Sequence, residues 1–342
     1  MNSSEIAKLA NVSRSTVSRV INNYSNVPEE TRRKVQKVID EYGYVPNVSA
    51  RALAGKSNQI IGLFIADINN TNSDERWIGV NSPYNMELLA EVIKSCKRRG
   101  YLVLVNTITT ANESEIMTDH FNNNIICGGI FVGFPYHSID IDNTIKNQHN
   151  IVLIDQYGDE NIKSKDVKLI NCDNITCGYE ATKYLISLGH KDIAFIEGDN
   201  RLSAIERKKG YIQALEEEGI KVKNEFIIKG CYREDMAYKK TKNLLENDNR
   251  PTAIFAANDI MALGAIRSIE EIGLKVGDDI SIIGVDHLRL TGWKERLTTM
   301  EFSIAELAEK SVSALLGEDA LNNQKCIPKL IEKSSCRRIK YN

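Results

Sequence analysis

Two groups of residues have the types and spacing to do chemistry. In the first, Arg14, Ser15, Ser18, Arg19 and Asn22 fall on one contiguous strip when the segment is wound as a helix, with Val17, Val20 and Ile21 on the opposite side. Arginine can donate two parallel hydrogen bonds to guanine O6 and N7, while serine and asparagine reach phosphates or base edges. That is the chemistry of a DNA-reading helix. A solvated face on an ordinary amphipathic helix looks the same in isolation, so context must decide. In the second group, Asp155, Asn258 and Asp286 each follow an apolar run, and Arg207 stands near the start of the helical segment after another. Carboxylates accept from adjacent hydroxyls, arginine donates a rigid fork, and asparagine does both. Together they suit a polyhydroxylated small molecule. Taken singly, each Asp or Asn after a strand reads as a helix cap, and Asp259 is assigned to capping.

The elements that must position the first group are three short helices. Ser3 or Ser4 can cap a helix that carries Ile6, Leu9 and Ala10 on one face. Asn11 suits the strained position of the turn that follows, and Ser13 caps a second helix running through Asn22. Pro28 suits the first position of a third helix, with Thr31, Val35, Val38 and Tyr42 as its buried stripe and Gly43 as the residue past its end. Two short helices joined by a tight turn, the second exposing arginines and small hydroxyls, describe a helix-turn-helix. Charge supports this. Residues 1–58 hold nine basic against five acidic residues, a net +4, and the rest of the chain carries −6. Residues 48–54 can form a further short helix before Gly55, too short to be stable unless packed against something.

Beyond residue 58 short apolar runs alternate with amphipathic helical segments. Ile60 to Ala66, Leu102 to Asn106, Gly129 to Val132, Ile151 to Asp155, Ile193 to Glu197, Ala253 to Ala256 and Ile280 to Val285 suit strands buried on both faces of a parallel sheet. Helices are expected near 177–188, 205–218, 232–245 and 259–272. Repeated βα units argue for doubly wound sheets, and the length of this region argues for two lobes. In such folds ligands sit beyond the carboxyl ends of the strands, where the second group falls.

Several function classes find no support. The 342 residues include 42% hydrophobic and 26% charged, an ordinary globular composition. No apolar run approaches the length of a membrane span, and no secretory leader is visible, so a cytoplasmic protein without a membrane role is expected. There is no G-x-S-x-G, H-E-x-x-H or G-x-G-x-x-G, and Gly55-Lys56-Ser57 lacks the glycine of a P-loop because position 50 is Ala50. The five histidines show no metal-ligand spacing. The seven cysteines form no C-x-x-C pair and read as reduced structural thiols. Neither a metal nor a cofactor is implied, and an enzyme is not expected.

Val12-Ser13-Arg14-Ser15-Thr16-Val17-Ser18-Arg19-Val20-Ile21-Asn22 resembles the recognition-helix signature of the lactose/galactose repressor (LacI/GalR) family of bacterial transcription regulators. Tyr42 to Asn47, Leu53 to Lys56, Asn81 to Leu89, Ala257 to Gly264, Gly284-Val285-Asp286, Leu297 to Thr299 and Pro328 to Ser335 continue the likeness. The resemblance implies that Arg14, Ser15 and Arg19 read base edges, while Ser13, Thr16, Ser18 and Asn22 touch mostly the backbone. It implies that the helix of residues 47–58 pairs with its copy in the minor groove. Asn47 and Ala50 would then lie on DNA, and Leu53 would be the wedge that kinks the duplex.

The same resemblance implies an all-α headpiece at 1–46, a hinge at 47–58 and a periplasmic-binding-protein-like α/β core of doubly wound sheets at 59–342. Its N-lobe is expected at about 59–165 and 291–322, and its C-lobe at about 166–290 and 323–342. Tyr84, Asn85, Asp155, Arg207, Asn258 and Asp286 fall at the family's effector positions, Asn85 departing from the aromatic usual there. Residues 69–80 depart as an insertion at the cleft mouth, either a solvated loop or a lid that offers Trp77 for stacking. The expected function is a homodimeric repressor that binds double-stranded operator DNA under control of a carbohydrate effector held between the lobes. The alternatives are the same regulator answering to a nucleobase or a phospho-protein co-regulator, a solute-binding protein, and an enzymatic cleft.

Overall fold

The computed structural model describes residues 2–21, 24–44, 58–66, 82–108, 114–134, 150–156, 167–247, 249–288, 293, 295–318 and 323–339. Asn22, Asn47, Ala50, Leu53 and Trp77, and with them the hinge and the insertion, lie outside the described residues. Residues 1–58 and 59–342 make two compact units.

The first unit is helical: α1 (Ser3–Leu9), α2 (Arg14–Ile21) and α3 (Glu29–Tyr42). Asn2, rather than Ser3 or Ser4, caps α1, because its side chain takes the N–H groups of Ser4 and Glu5 while Glu5 reaches back to the Asn2 N–H. Ser13 caps α2, its hydroxyl accepting from Thr16 N–H at 3.1 Å. Asn11 takes φ 52° in the turn between the two, and Gly43 ends α3 at φ 58°. Ile6, Ala7, Ala10, Val17, Val20, Val27, Val35 and Tyr44 form the core. Two expected core residues are outside it: Leu9 and Tyr42 are each 48% exposed. On α1 the packed face runs through Ala7 instead of Leu9, and at the end of α3 Ile39 and the returning Tyr44 fill the place assigned to Tyr42.

The second unit alternates strand and helix: β1 (Ile60–Ala66), α4 (Pro83–Arg98), β2 (Leu102–Ile108), α5 (Ser114–Asn122), β3 (Gly128–Val132), β4 (Asn150–Ile154), β5 (Val167–Cys172) and α6 (Asn174–Ser187). Then come β6 (Ile193–Glu197), α7 (Leu202–Glu217), β7 (Ile227–Lys229), α8 (Glu234–Leu245), β8 (Ala253–Ala256), α9 (Asp259–Glu271) and β9 (Ser281–Val285). β10 (Thr298–Glu301), α10 (Ile304–Leu315), β11 (Asn323–Cys326) and β12 (Lys329–Ile331) complete it. The strands form two six-stranded sheets, ordered β11-β5-β4-β3-β1-β2 and β12-β10-β9-β8-β6-β7. All described pairings are parallel except β10 with β12. Near-continuous apolar strands are what a sheet covered on both faces requires. One face of the first sheet packs an aromatic group, with Phe64 and Phe131 stacked at 4.8 Å and Phe121 beside them.

The lobe boundaries differ from expectation in three places. β5, expected in the C-lobe, pairs with β4 in the first sheet. β10, expected in the N-lobe, pairs with β9 in the second. β11, expected in the C-lobe, returns to the first sheet beside β5. The chain therefore crosses between sheets after Cys172, after Glu301 and after Cys326, each time at a strand end. Apolar periodicity marks that a strand exists but not which sheet completes its hydrogen bonds. β5 is also hard to see at all, because Lys168 and Asn171 interrupt its apolar pattern.

Helices α6 and α7 approach through glycines. A Cβ on Gly178 would lie 2.1 Å from the Arg207 carbonyl oxygen, and one on Gly210 would lie 2.1 Å from the Ile175 carbonyl oxygen. This contact sets where α7 carries Arg207. Gly178→Ala is expected to force the helices apart and destabilise the protein by about 1–3 kcal/mol, read as a lower urea midpoint; an unchanged midpoint would show that the spacing is not constrained.

Candidate DNA-reading helix and interlobe site

On α2 the first group forms a hydroxyl-rich end and two arginines. Ser13 Oγ lies 2.7 Å from Ser15 Oγ and 2.8 Å from Thr16 Oγ1. Arg14 is exposed and its Nε donates to Ser3 Oγ at 3.1 Å. Arg19 is exposed in the last turn and Ser18 is half-buried, while Val17 and Val20 are packed inside. The buried pair fixes the rotation of the helix, so the strip faces outward.

In the second unit, Asp155, Arg207, Asp286 and Tyr84 come together where the carboxyl ends of the two sheets face each other. Asp155 follows β4 in a left-handed turn, φ 63°, which an aspartate tolerates. Asn171 of β5 pins that turn, its Oδ1 accepting from the N–H groups of Asp155 (2.9 Å) and Gln156 (3.2 Å). Across the cleft, the Asp155 carboxylate accepts from Ser203 N–H at 2.6 Å and Ser203 Oγ at 2.8 Å, at the start of α7. The Ser203 hydroxyl lies 3.0 Å from the Tyr232 hydroxyl. Arg201 sits over the Tyr232 ring at 4.6 Å and pairs with Asp199. Burial pushes the Asp155 carboxyl up, opposed first by the Arg201 charge.

Arg207 is 6% exposed. Its Nε donates to Asn174 Oδ1 at 2.9 Å and its Nη1 to the Ala257 carbonyl. Asp286 faces it from a turn after β9, with φ 107° at Asp286 and 53° at His287. That strained turn is held by Asp286 N–H to the Met300 carbonyl (2.8 Å), His287 N–H to Thr299 Oγ1 (3.3 Å) and Leu288 N–H to Asp259 Oδ2 (2.9 Å). Burial raises the Asp286 carboxyl to about 7, against the Arg207 charge and with some help from Glu87. Burial lifts the Tyr84 hydroxyl well above its ordinary value.

Two readings shift at the start of α9. Asn258, expected at the effector, spends its side-chain oxygen on capping α9, accepting from Met261 N–H at 2.9 Å. Asp259, expected to cap, is instead buried, and also accepts from Thr299 Oγ1 at 2.8 Å. A capping residue must stand just outside the first turn, and here the helix begins at Asp259 itself, one residue earlier than a cap at Asp259 would allow. Asn85 is buried within α4 at 8% exposure. Ser203, Tyr232, Arg201, Asn171 and Asn174 were not singled out from the sequence. Ser203 had a signal, since a helix start after a strand is where such sites form; Tyr232 had none, being read as helix when it lies in a left-handed turn, φ 58°.

Asp259 offers a test. Burial raises its carboxyl to about 8, helped by the nearby Asp286 and opposed by the Leu288 and Thr299 hydrogen bonds. The unfolded chain releases that proton near about pH 3.9, so between there and about pH 8 the folded protein binds the extra proton. The contribution is full below the unfolded value and is lost as pH rises through the folded one. Asp259→Asn should remove this slope, so that wild type loses stability relative to the variant from pH 4 to 8 in thermal melts. Asp259→Ala, which strands the Leu288 N–H and the Thr299 hydroxyl, should cost about 1–3 kcal/mol at every pH.

Among the described residues no helix is long and apolar enough to cross a membrane, and no group of three or more His, Cys, Asp or Glu could hold a metal ion. A family model described as bacterial regulatory proteins, lacI family, matches residues 4–47, and one described as a periplasmic binding protein-like domain matches residues 182–336. The HTH-type transcriptional repressor PurR of Pasteurella multocida is 35% identical over 317 residues, spanning 91% of this chain and 90% of that protein. The probable HTH-type transcriptional repressor ExuR of Bacillus subtilis is 32% identical over 348 residues, 98% of each. The solved Lac repressor dimer bound to operator and the anti-inducer ONPF superposes with a TM-score of 0.83 at 26% identity, covering 98% of this chain and 99% of that one. With a helix-turn-helix unit, a two-sheet core and relatives alike over nearly the whole chain, this protein belongs to the lacI family of bacterial regulatory proteins, DNA-binding transcription regulators rather than enzymes.

Proposed function

We propose that this regulator is a cytoplasmic, homodimeric repressor whose effector is a polyhydroxylated molecule of the sugar class, held by Asp155, Arg207, Asp286 and Tyr84. The observation that carries this is the convergence, from both lobes, of two carboxylates, a buried guanidinium and two phenols around one cleft. Such a set pairs with adjacent hydroxyls through both acceptors and donors. Asn258 joins the site through its amide N–H groups, its oxygen also capping α9. Trp77 and Asn85 are left as secondary contacts of the same site.

The dimer reading is supported by apolar side chains at the surface of the first lobe. Met86 and Ile93 stand one above the other on α4 at 57% and 43% exposed, and Leu102 at the start of β2 is 69% exposed. The solved Lac repressor of the comparison is itself a dimer. Two such copies present two recognition helices to a pseudo-palindromic site. Ser13, Arg14, Ser15, Thr16, Ser18, Arg19 and Asn22 are assigned to that site, with Asn47, Ala50 and Leu53 of the hinge. Effector binding shifts operator affinity only if it favours one lobe arrangement, and DNA must then change effector affinity by the same factor.

Two measurements test these assignments. A thermal-shift panel of sugars, sugar phosphates and nucleobases should show stabilisation by a polyol, lost in Asp286→Asn while DNA binding persists; a response to purines alone would replace the carbohydrate reading. On an operator selected in vitro, Arg19→Ala should cost about 1–3 kcal/mol and relax preference at one base pair. A uniform loss on all sequences would make Arg19 a phosphate contact.

A further inference from the structure

Cys172 and Cys326 are the last residues of β5 and β11, and they are register partners across that parallel pair. Paired residues on neighbouring strands project to the same face, and the strands lie about 4.7–4.9 Å apart, inside the Cα range that a disulfide spans. Both cysteines are free thiols. The pair sits where two of the three crossovers run side by side. The Asp173 N–H donates to the Cys326 carbonyl at 2.8 Å, one residue after β5 ends, and both chains then pass to the other lobe. Cys326 is fully buried. Cys172 is 8% exposed and lies within electrostatic reach of Asp155 and Arg207, on the side of the interlobe site.

We propose that Cys172 and Cys326 form a cross-strand dithiol that a small two-electron oxidant of the peroxide class converts to a disulfide, stapling two interlobe crossovers together. A cysteine buried alone is inert, but a second thiol at the paired position on the neighbouring strand supplies the resolving partner. The Cys172 sulfur attacks one peroxide oxygen, the O–O bond breaks, and a sulfenic acid and one water result. The Cys326 sulfur then attacks the sulfenic sulfur, the S–S bond forms and a second water leaves with the remaining thiol proton. The two sulfurs together give up two electrons and the peroxide takes them. Entry is from the Cys172 side, the less buried of the two. Once linked, β5 and β11 cannot slide past each other at the point where they leave the first lobe, so the oxidised protein is stiffer at its hinge than the reduced one.

The test uses the full-length protein, reduced and then treated with hydrogen peroxide in slight excess. After quenching and alkylation in denaturant, non-reducing peptide mapping should show the Cys172 and Cys326 peptides joined and lighter by two hydrogens. Two of the seven thiols should disappear from the count and return with dithiothreitol. Hydrogen exchange at residues 173 and 327 should slow in the oxidised form. Cys172→Ser and Cys326→Ser should each abolish the linked peptide; if either fails to fold, the wild-type map still decides. Recovery of both cysteines as alkylated monomeric peptides, or links only between separate chains, would overturn the dithiol, and unchanged exchange at the crossovers would overturn the staple.

Discussion

A guanidinium held almost wholly out of water has to be met by polar groups on every side, and Arg207 imposes that demand on the second unit. Asn174 and the Ala257 carbonyl answer part of it from within the second lobe. Asp286 answers from the turn after β9, its carboxyl raised by burial and drawn back down by the Arg207 charge. The glycine contact of α6 with α7 fixes the backbone that carries the guanidinium. A site built this way has its charges ordered before any ligand arrives, so binding need not pay for arranging them.

Asp155 stands on the opposite side of the cleft and is engaged by Ser203 at the start of α7. The hydrogen bonds of that carboxylate join residues that follow β4 of one sheet and β6 of the other. A molecule entering between the lobes must accommodate this link or exchange it for its own hydroxyls. In the proposed reading, a ligand that favours one outcome over the other is what an effector-controlled regulator requires.

Much of this was legible in the residues. The recognition strip is a pattern of rotation about one helix, and buried Val17 and Val20 determine it locally. Asp155 and Asp286 could be located because strand ends are marked by where apolar runs stop, and Arg207 because a helical segment follows the β6 run. What failed to show depends on contacts between distant segments. Lobe membership of β5, β10 and β11 turns on pairing partners that no local pattern records. That Asp259 is a buried acceptor and not the cap of α9 turns on Thr299 and Leu288, which reach it from another part of the chain. Leu9 and Tyr42 misled because a three-helix unit this small has room to bury only part of each apolar stripe.

Each sheet takes one outer strand from the same late stretch of chain: β11 closes the first beside β5, and β12 closes the second beside β10, with only Ile327 and Pro328 between them. A ribosome that has delivered everything up to α10 has therefore made two layers with raw flanks, each offering unsatisfied N–H and C=O groups to any neighbour. Completion of the two lobes is then a single late event rather than two successive ones, since one short ribbon supplies an outer strand to each.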